Sequence, residues 1–434
     1  MTTTRRSFLR TAAAAATATS LSNALAAGRL PLGSGLQGMG LQGQGGEELK
    51  VALIGCGGRG SGAISQALST KGPTRLVAIA DMFVDRIEGC IEALSENAAF
   101  KGRVEVPRER RFVGADAFKG VLESGCDVVV IATPPHFRPQ HFEAAVAAKK
   151  HIFFEKPVAV DGPGVRRVMA AAEQAKKLGL SVCSGLQRHH QNGYLEIMRQ
   201  IHGGALGRLL FARCSWNQGS LWHKDRQPEW SDMEWQLKNW LYFTWLSGDH
   251  IVEQHVHNLD VVNWAMQAHP ARARGMGGRQ VRTDPKFGHI FDHHAVQYQY
   301  ESGAWCFSEC RQIDGCLNDV SEHVYGTLGE AHMDSGRWRI AGEHEWTWSG
   351  KNNDPYQSEH DDFFASIRAG KPFNEGQMVA ESTLTAIMGR MATYSGKEIT
   401  WEQALESDEK WGPDSYEFGP LPVDPVPMPG QKRG

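Results

Sequence analysis

A chain of 434 residues is long enough for two domains with substantial cores, and 41% hydrophobic with 22% charged residues is the composition of a globular protein rather than a disordered or fibrous one. A formal net charge of -3 provides no basic field for nucleic acid or for an anionic membrane surface, so no nucleic-acid partner is expected. Eight scattered cysteines contain no zinc-type C-x-x-C pair and no legible disulfide framework; Cys306, Cys310 and Cys316 read as small buried residues, and no metal site is expected.

The first residues belong to targeting rather than to the fold. Thr4 to Arg10 reads Thr-Arg-Arg-Ser-Phe-Leu-Arg, a twin-arginine signal, followed by an alanine-rich apolar stretch and by Ala24-Leu25-Ala26 as a small-residue cleavage site. This predicts a Tat signal peptide over 1–27, export of the folded protein by the Tat machinery, and a mature chain working in the periplasm or otherwise outside the cytoplasmic membrane. The apolar stretch is too short for a permanent membrane span. Residues 28–46, rich in Gly, Gln and Leu without periodicity, read as a flexible linker.

From 47 to 185 strands and helices alternate, with strands at 50–54, 76–80, 127–132, 151–154 and 180–184 and helices at 139–149 and 162–178. That pattern predicts a doubly wound parallel sheet, a Rossmann domain. The first strand runs into Gly55-Cys56-Gly57-Gly58-Arg59-Gly60, a G-x-G-x-x-G turn whose following helix offers free N–H groups to a pyrophosphate. Asp81 ends the second strand, twenty-one residues after Gly60. A carboxylate there accepts hydrogen bonds from ribose hydroxyls and repels a 2′-phosphate, so NAD is favoured over NADP. Two further loops leave the carboxyl ends of strands, where open α/β sheets place ligands: Thr133-Pro134-Pro135-His136, and Glu155-Lys156-Pro157.

Residues 186–417 read as an α+β domain with a large, mainly antiparallel sheet, its strands near 207–216, 294–300, 304–311, 321–326, 330–333 and 337–340. A loop-rich insertion, 217–242, carries Trp222, Trp230, Trp235 and Trp240, with Trp216 at its root; aromatic faces are platforms for sugar rings. Ser247 to Trp264 reads as one capped helix with Glu253, His257, Asp260 and Trp264 on a single stripe. At i and i+4, Glu253 and His257 are expected side by side, the carboxylate raising and aiming the imidazole as a base. Helices return at 359–369 and 379–394, and 418–434 forms a Pro/Gly-rich tail extended against the surface.

These residues together resemble the Gfo/Idh/MocA family of NAD(P)-dependent oxidoreductases. The resemblance rests on Gly55 to Gly60, on Ala132-Thr-Pro-Pro-His136, on Lys149-Lys-His-Ile-Phe-Phe-Glu-Lys-Pro157, and on the helix holding His257-Asn-Leu-Asp260, and it covers nearly all of the chain beyond the signal. It implies cofactor contacts from Gly55, Gly57, Gly58, Arg59, Gly60, Asp81, Thr133, Pro134, His136, Glu155, Lys156 and Pro157. It also implies that Lys156 touches both nicotinamide and substrate, and that Glu253 and His257 stand at the family's D-x-x-x-H pair, with Glu where Asp is common. Arg188 and His190 match positions that often touch substrate; Trp240 and Asp260 are grouped with them. The function implied is hydride transfer between a tightly bound NAD and a sugar, glycoside or polyol hydroxyl, with His257 as base and Lys156 stabilising the alkoxide, in a homo-oligomer. The alternatives are NAD-dependent glycoside hydrolysis through transient oxidation and elimination, whose T-H-G-L-G-P signature is absent here, and a non-catalytic NAD- or sugar-binding protein.

Overall fold

The computed structural model describes residues 46–431; the twin-arginine segment and residues 28–45 of the expected linker lie outside them. Six strands form the first sheet: β1 (Leu49–Ile54), β2 (Thr74–Asp81), β3 (Arg111–Val113), β4 (Val128–Ile131), β5 (His151–Phe154) and β6 (Val182–Ser184). They are parallel in the order β3-β2-β1-β4-β5-β6, so the chain reverses direction across the sheet between β1 and β4. Five helices cross over: α1 (Gly58–Ser69), α2 (Val84–Glu96), α3 (Ala117–Glu123), α4 (Arg138–Ala147) and α5 (Gly162–Lys177). Both faces are covered, which is why these strands are unbroken apolar runs: Ala52 and Ile54 enter one core, Val51 and Leu53 the other. The Rossmann architecture expected from the alternation is therefore present, with β3 and α2 as elements the sequence reading did not identify.

The second sheet has nine strands: β7 (Leu209–Gln218), β8 (Arg272–Gly278), β9 (His293–Gln299), β10 (Trp305–Gln312), β11 (Asp319–Gly326), β12 (Gly329–Asp334), β13 (Trp338–Gly342), β14 (Trp346–Thr347) and β15 (Ile399–Thr400). Their order is β14-β13-β12-β11-β7-β10-β9-β8-β15. All described pairings are antiparallel except β7 with β10. β10 alternates: Cys306, Ser308 and Cys310 are buried on the inner face while Phe307 is exposed on the outer one. Helices Val256–Met266 and Gly376–Ser395 pack on the inner face. Among the described residues no helix is long and apolar enough to cross a membrane.

Two of these expectations need correction. The single helix expected over 247–264 is broken into Thr244–Ser247, His250–Glu253 and Val256–Met266. Gly248 and Asp249 both take positive φ between the first two pieces, and Asp249 caps the second by accepting from the His250 N–H. Cys316 is exposed, whereas Cys306 and Cys310 are buried as expected. The start of the Pro/Gly-rich tail, at Gly419 and Leu421, is hydrogen-bonded to helix Asp232–Lys238, and none of residues 418–431 is buried.

Candidate active site

The glycine turn between β1 and α1 is shaped by contact. Gly55 has φ +98°, and a Cβ on it would lie 2.6 Å from the Thr133 backbone nitrogen; a Cβ on Gly60 would lie 1.8 Å from the Gly55 carbonyl oxygen. Only glycine lets α1 approach β1 this closely. Gly57 and Gly58 differ, because a Cβ at either would meet nothing within 4 Å. That open space faces the first turn of α1, whose N-cap Gly57 offers no side-chain acceptor, so the free N–H groups fit a pyrophosphate. Asp81 lies beside the turn, its carboxylate accepting from the backbone N–H of Cys56 at 2.6 Å and of Phe83 at 3.0 Å; burial pushes its pKa up against those bonds. The cradle therefore fits a dinucleotide. Gly57→Ala is expected to change folding stability by under about 1 kcal/mol, since its φ of -69° suits alanine. It is expected to weaken binding of NAD by about tenfold or more, because the methyl group fills the pyrophosphate space. Calorimetric titration reads the affinity and thermal unfolding the stability; unchanged affinity would contradict the assignment.

Arg59 does not point freely at this space. Its guanidinium is hydrogen-bonded to Glu155, and it reaches Glu359 at 3.1 Å and Gln66 at 3.0 Å. It thereby ties α1 to the loop after β5. Burial pushes the Glu155 carboxyl up, but Arg59, Arg138 and Lys156 together hold it below the ordinary value. Arg138 is fixed by the Thr133 and Pro157 carbonyls, joining the Thr133–His136 loop to the same cluster. His136 is engaged elsewhere, since its Nε2 meets the Tyr416 hydroxyl at 2.8 Å and burial lowers its pKa to about 4. Thr133 pairs through Oγ1 with His141 Nδ1 at 3.2 Å, Pro134 precedes the short turn Pro135–Phe137, and the Lys156–Pro157 peptide bond is cis.

Lys156 and Glu253 meet at the carboxyl end of β5. The Lys156 Nζ donates to the Glu253 carbonyl oxygen at 2.6 Å and to its Oε1 at 3.1 Å, with side chains only 11% and 8% exposed. Glu253 Oε2 accepts from Gln254 Nε2. This overturns the expected Glu253–His257 pairing: the carboxylate serves Lys156 and Gln254, and the helix break at Gln254–His255 removes the i, i+4 stacking on which the pairing depended. His257 instead lies against Trp216, ring centroids 5.6 Å apart, and its Nδ1 is buried with no hydrogen-bond partner among the described residues. Burial, with Lys156, Arg188 and Arg59 adding to it, holds its pKa well below the ordinary value, so the ring is neutral around neutral pH. The expectation of an imidazole made more basic by Glu253 is corrected accordingly.

The residues expected to be substrate contacts separate. Arg188 stays near the group, 5.8 Å over the Trp216 ring, and is hydrogen-bonded to Glu322, which also accepts from Tyr194 at 2.9 Å and from Asn258. His190 is held by Asp362 at 2.7 Å and Glu375 at 3.2 Å, partners that raise its pKa to about 10 despite burial. Asp260 is engaged by His189 and Ser382, each at 2.7 Å. Trp240 packs edge-on to Trp222, in the aromatic cluster that includes Phe83 and Tyr416. His190, Asp260 and Trp240 are thus occupied in packing and hydrogen bonds outside the Lys156 group. Sequence reading missed Trp216, Glu322 and Arg138 as members of the site; Trp216 was visible as the root of the tryptophan-rich insertion, whereas nothing local marked the other two. The described residues also contain one trio of ligand types, Cys183, His190 and Glu375, whose ligand atoms lie within 4.8 Å of one another. Both His190 nitrogens are already hydrogen-bonded there.

The profile described as "Oxidoreductase family, NAD-binding Rossmann fold" matches residues 49–184, and that of the "GFO/IDH/MocA C-terminal domain" matches residues 194–332. Among curated proteins, 2,7-anhydro-N-acetylneuraminate hydratase of Escherichia coli K12 is 25% identical over 55% of this chain and 61% of its own length. Inositol 2-dehydrogenase 4 of Saccharopolyspora erythraea is 30% identical over 40% of this chain and 46% of its own. The matched stretches thus span about three fifths of the first relative and under half of the second. Solved structures with the same fold include the aldose-aldose oxidoreductase of Caulobacter crescentus (17% identity, 82% of this chain and 100% of that one, TM-score 0.64). Levoglucosan dehydrogenase in complex with NADH and levoglucosan is similar (18% identity, 82% and 100%, TM-score 0.63).

Proposed function

The chain belongs to the Gfo/Idh/MocA family of oxidoreductases, and on that premise we propose that it is an NAD-dependent enzyme that oxidises a hydroxyl-bearing carbon of a sugar, glycoside or polyol. The observation that carries this reading is the Lys156–Glu253 pair at the carboxyl end of β5, beside a neutral His257 whose Nδ1 has no partner among the described residues. A nicotinamide held at the carboxyl end of the first sheet would supply the hydride acceptor. Lys156, held by both the carbonyl and the carboxylate of Glu253, donates a hydrogen bond to the substrate oxygen and stabilises negative charge developing there. His257, neutral and buried, accepts the hydroxyl proton. Trp216 offers its ring face to a sugar, with Arg188 over it. Glu253 acts by positioning Lys156. In the decisive experiment polyols and free sugars are added to the NAD-loaded protein and reduced-nicotinamide absorbance is followed. Reduction by some of them supports the reading, and none across a broad panel contradicts it.

A second reading has one specific support: a relative bears the name of a hydratase, a reaction without net oxidation. On that reading a nicotinamide held there would take a hydride from the substrate and return it after elimination across the acidified neighbouring C–H, with the same residues moving the protons. Product formed with no net change in the cofactor favours it.

The same proposal includes export. Arg5 and Arg6 lie in the motif read as a Tat signal, which sends the folded protein, cofactor aboard, to the periplasm. Replacing both by lysine is expected to keep the protein in the cytoplasm; unchanged export in a fractionation experiment argues against it. Homo-oligomerisation is supported by the open face of the nine-stranded sheet, where the exposed Phe211 and Phe307 lie together and Tyr325 stacks on Phe211. Sedimentation velocity reads this directly, and a monomer at micromolar concentration contradicts it.

A further inference from the structure

We propose that the segment Trp411–Leu421 is the outer wall of the adenosine half of the cofactor site, with Phe418 and Tyr416 as cofactor-binding residues that retain the dinucleotide. The inference rests on the NAD-binding reading above and extends it to a part of the chain far from any recognised dinucleotide motif. An open cleft lies at the carboxyl ends of β2 and β3. Met82, Val113 and Asp116 line it from the Rossmann domain, and Tyr416 and Phe418 from the C-terminal segment. Met82 directly follows Asp81, and the Asp81 carbonyl accepts from the Gly114 N–H at 3.0 Å, so this cleft continues from the carboxylate that faces a ribose. In a sheet of this order, what lies beyond that carboxylate is the adenosine half.

The segment is tied down on both sides of the cleft. At its start the Trp411 N–H donates to Asp161 at 3.1 Å, and Gly412, at φ +107°, sits so close to His136 that a Cβ would approach the ring to 2.6 Å. In the middle the Tyr416 hydroxyl meets His136. At its end Leu421 is held by Asp232 at 3.1 Å and by Gln236 at 2.8 Å, while the Gly419 carbonyl accepts from Met233. Between these anchors Phe418 stacks on Phe83 at 5.8 Å and stays 50% exposed, and Lys238 lies 4.2 Å from the ring of Phe83. A half-exposed ring beside an open cleft, on a segment fixed at each end, offers an unused aromatic face to a base. Base–aromatic stacking slows release without any sequence-local signature. A cofactor clasped in this way stays with the protein through export, where free NAD is scarce.

The test uses the full purified chain loaded with NADH. Release is followed by nicotinamide fluorescence after mixing with excess NAD, and unfolding of the nucleotide-free protein is followed by circular dichroism. Phe418→Ala, which removes a half-exposed ring and no anchor, is expected to speed release by about tenfold with the unfolding midpoint unchanged. Tyr416→Phe, which keeps the ring and removes only the hydroxyl contact to His136, is expected to speed release less. Release rates of both variants within twofold of the unaltered protein overturn the clasp while the dinucleotide reading stands. If the unaltered protein itself binds no NADH, the dinucleotide reading fails, and the clasp with it.

Discussion

Lys156→Ala is expected to lower turnover by about 10²–10³-fold or more while leaving the dinucleotide bound. The Nζ is buried between two oxygens of Glu253, so its position is fixed before substrate arrives, and a preorganised cation stabilises charge at no reorganisation cost. On the proposed reading its removal takes away the cation that would meet the substrate oxygen, and it leaves Glu253, 8% exposed, without that partner. Lys156→Arg is not a conservative control, because a planar fork cannot occupy the same point between a carbonyl and a carboxylate. The readout is turnover beside fluorescence titration with NADH. A variant within tenfold of the parent contradicts the role, and equal loss of cofactor binding and fold assigns Lys156 to structure instead.

Glu322→Ala is expected to be the most destabilising single change at the site, costing about 3–5 kcal/mol. Glu322 sits on the inner face of β11, fully buried, and receives Arg188, Tyr194 and Asn258 together. Burial raises its pKa while Arg188 opposes the rise, and Glu322 in turn offsets the burial cost of the guanidinium. Alanine strands Arg188 as an uncompensated buried charge, takes the acceptor of the Tyr194 hydroxyl, and leaves the Asn258 amide only the Ser321 carbonyl at 3.4 Å. Glu322→Gln, which keeps an acceptor, is expected to lose less. Chemical denaturation reads the difference as a shift in midpoint; an unchanged midpoint in Glu322→Ala contradicts the account. Because Arg188 also lies over Trp216, weaker substrate affinity is expected beside the loss of stability if the proposed site is right.

What was legible in the sequence was local. The runs centred on Val51–Ile54, Val128–Ile131 and Ile152–Phe154 announce buried parallel strands because helices cover both faces, and the glycine turn marks itself by residue type. β8 was illegible: Arg-Ala-Arg-Gly-Met-Gly-Gly has three glycines and little β propensity. It forms because its glycines lie flat on β9, where a Cβ on Gly275 or Gly277 would come within 2.6 Å of a β9 carbonyl oxygen. β3 has three residues and owes its place to pairing with β2. At the site the E-K-P motif pointed to Lys156, but its partner lies 97 positions away, and Glu322 lies 134 from Arg188. Such pairs depend on how two sheets approach one another, which no local spacing encodes. The Glu253–His257 pairing fails for the opposite reason. Helical spacing implies contact only while the helix runs on, and here the break at Gln254–His255 falls between the two residues.

The most direct measurement of the central claim is isotope transfer. The protein carrying oxidised cofactor is incubated with sugars and polyols deuterated at their carbinol carbons, and the bound nucleotide is released and examined by mass spectrometry. The account predicts reduced nicotinamide carrying the deuterium, together with a ketone or lactone product. Consumption of a substrate with no deuterium entering the nucleotide contradicts it.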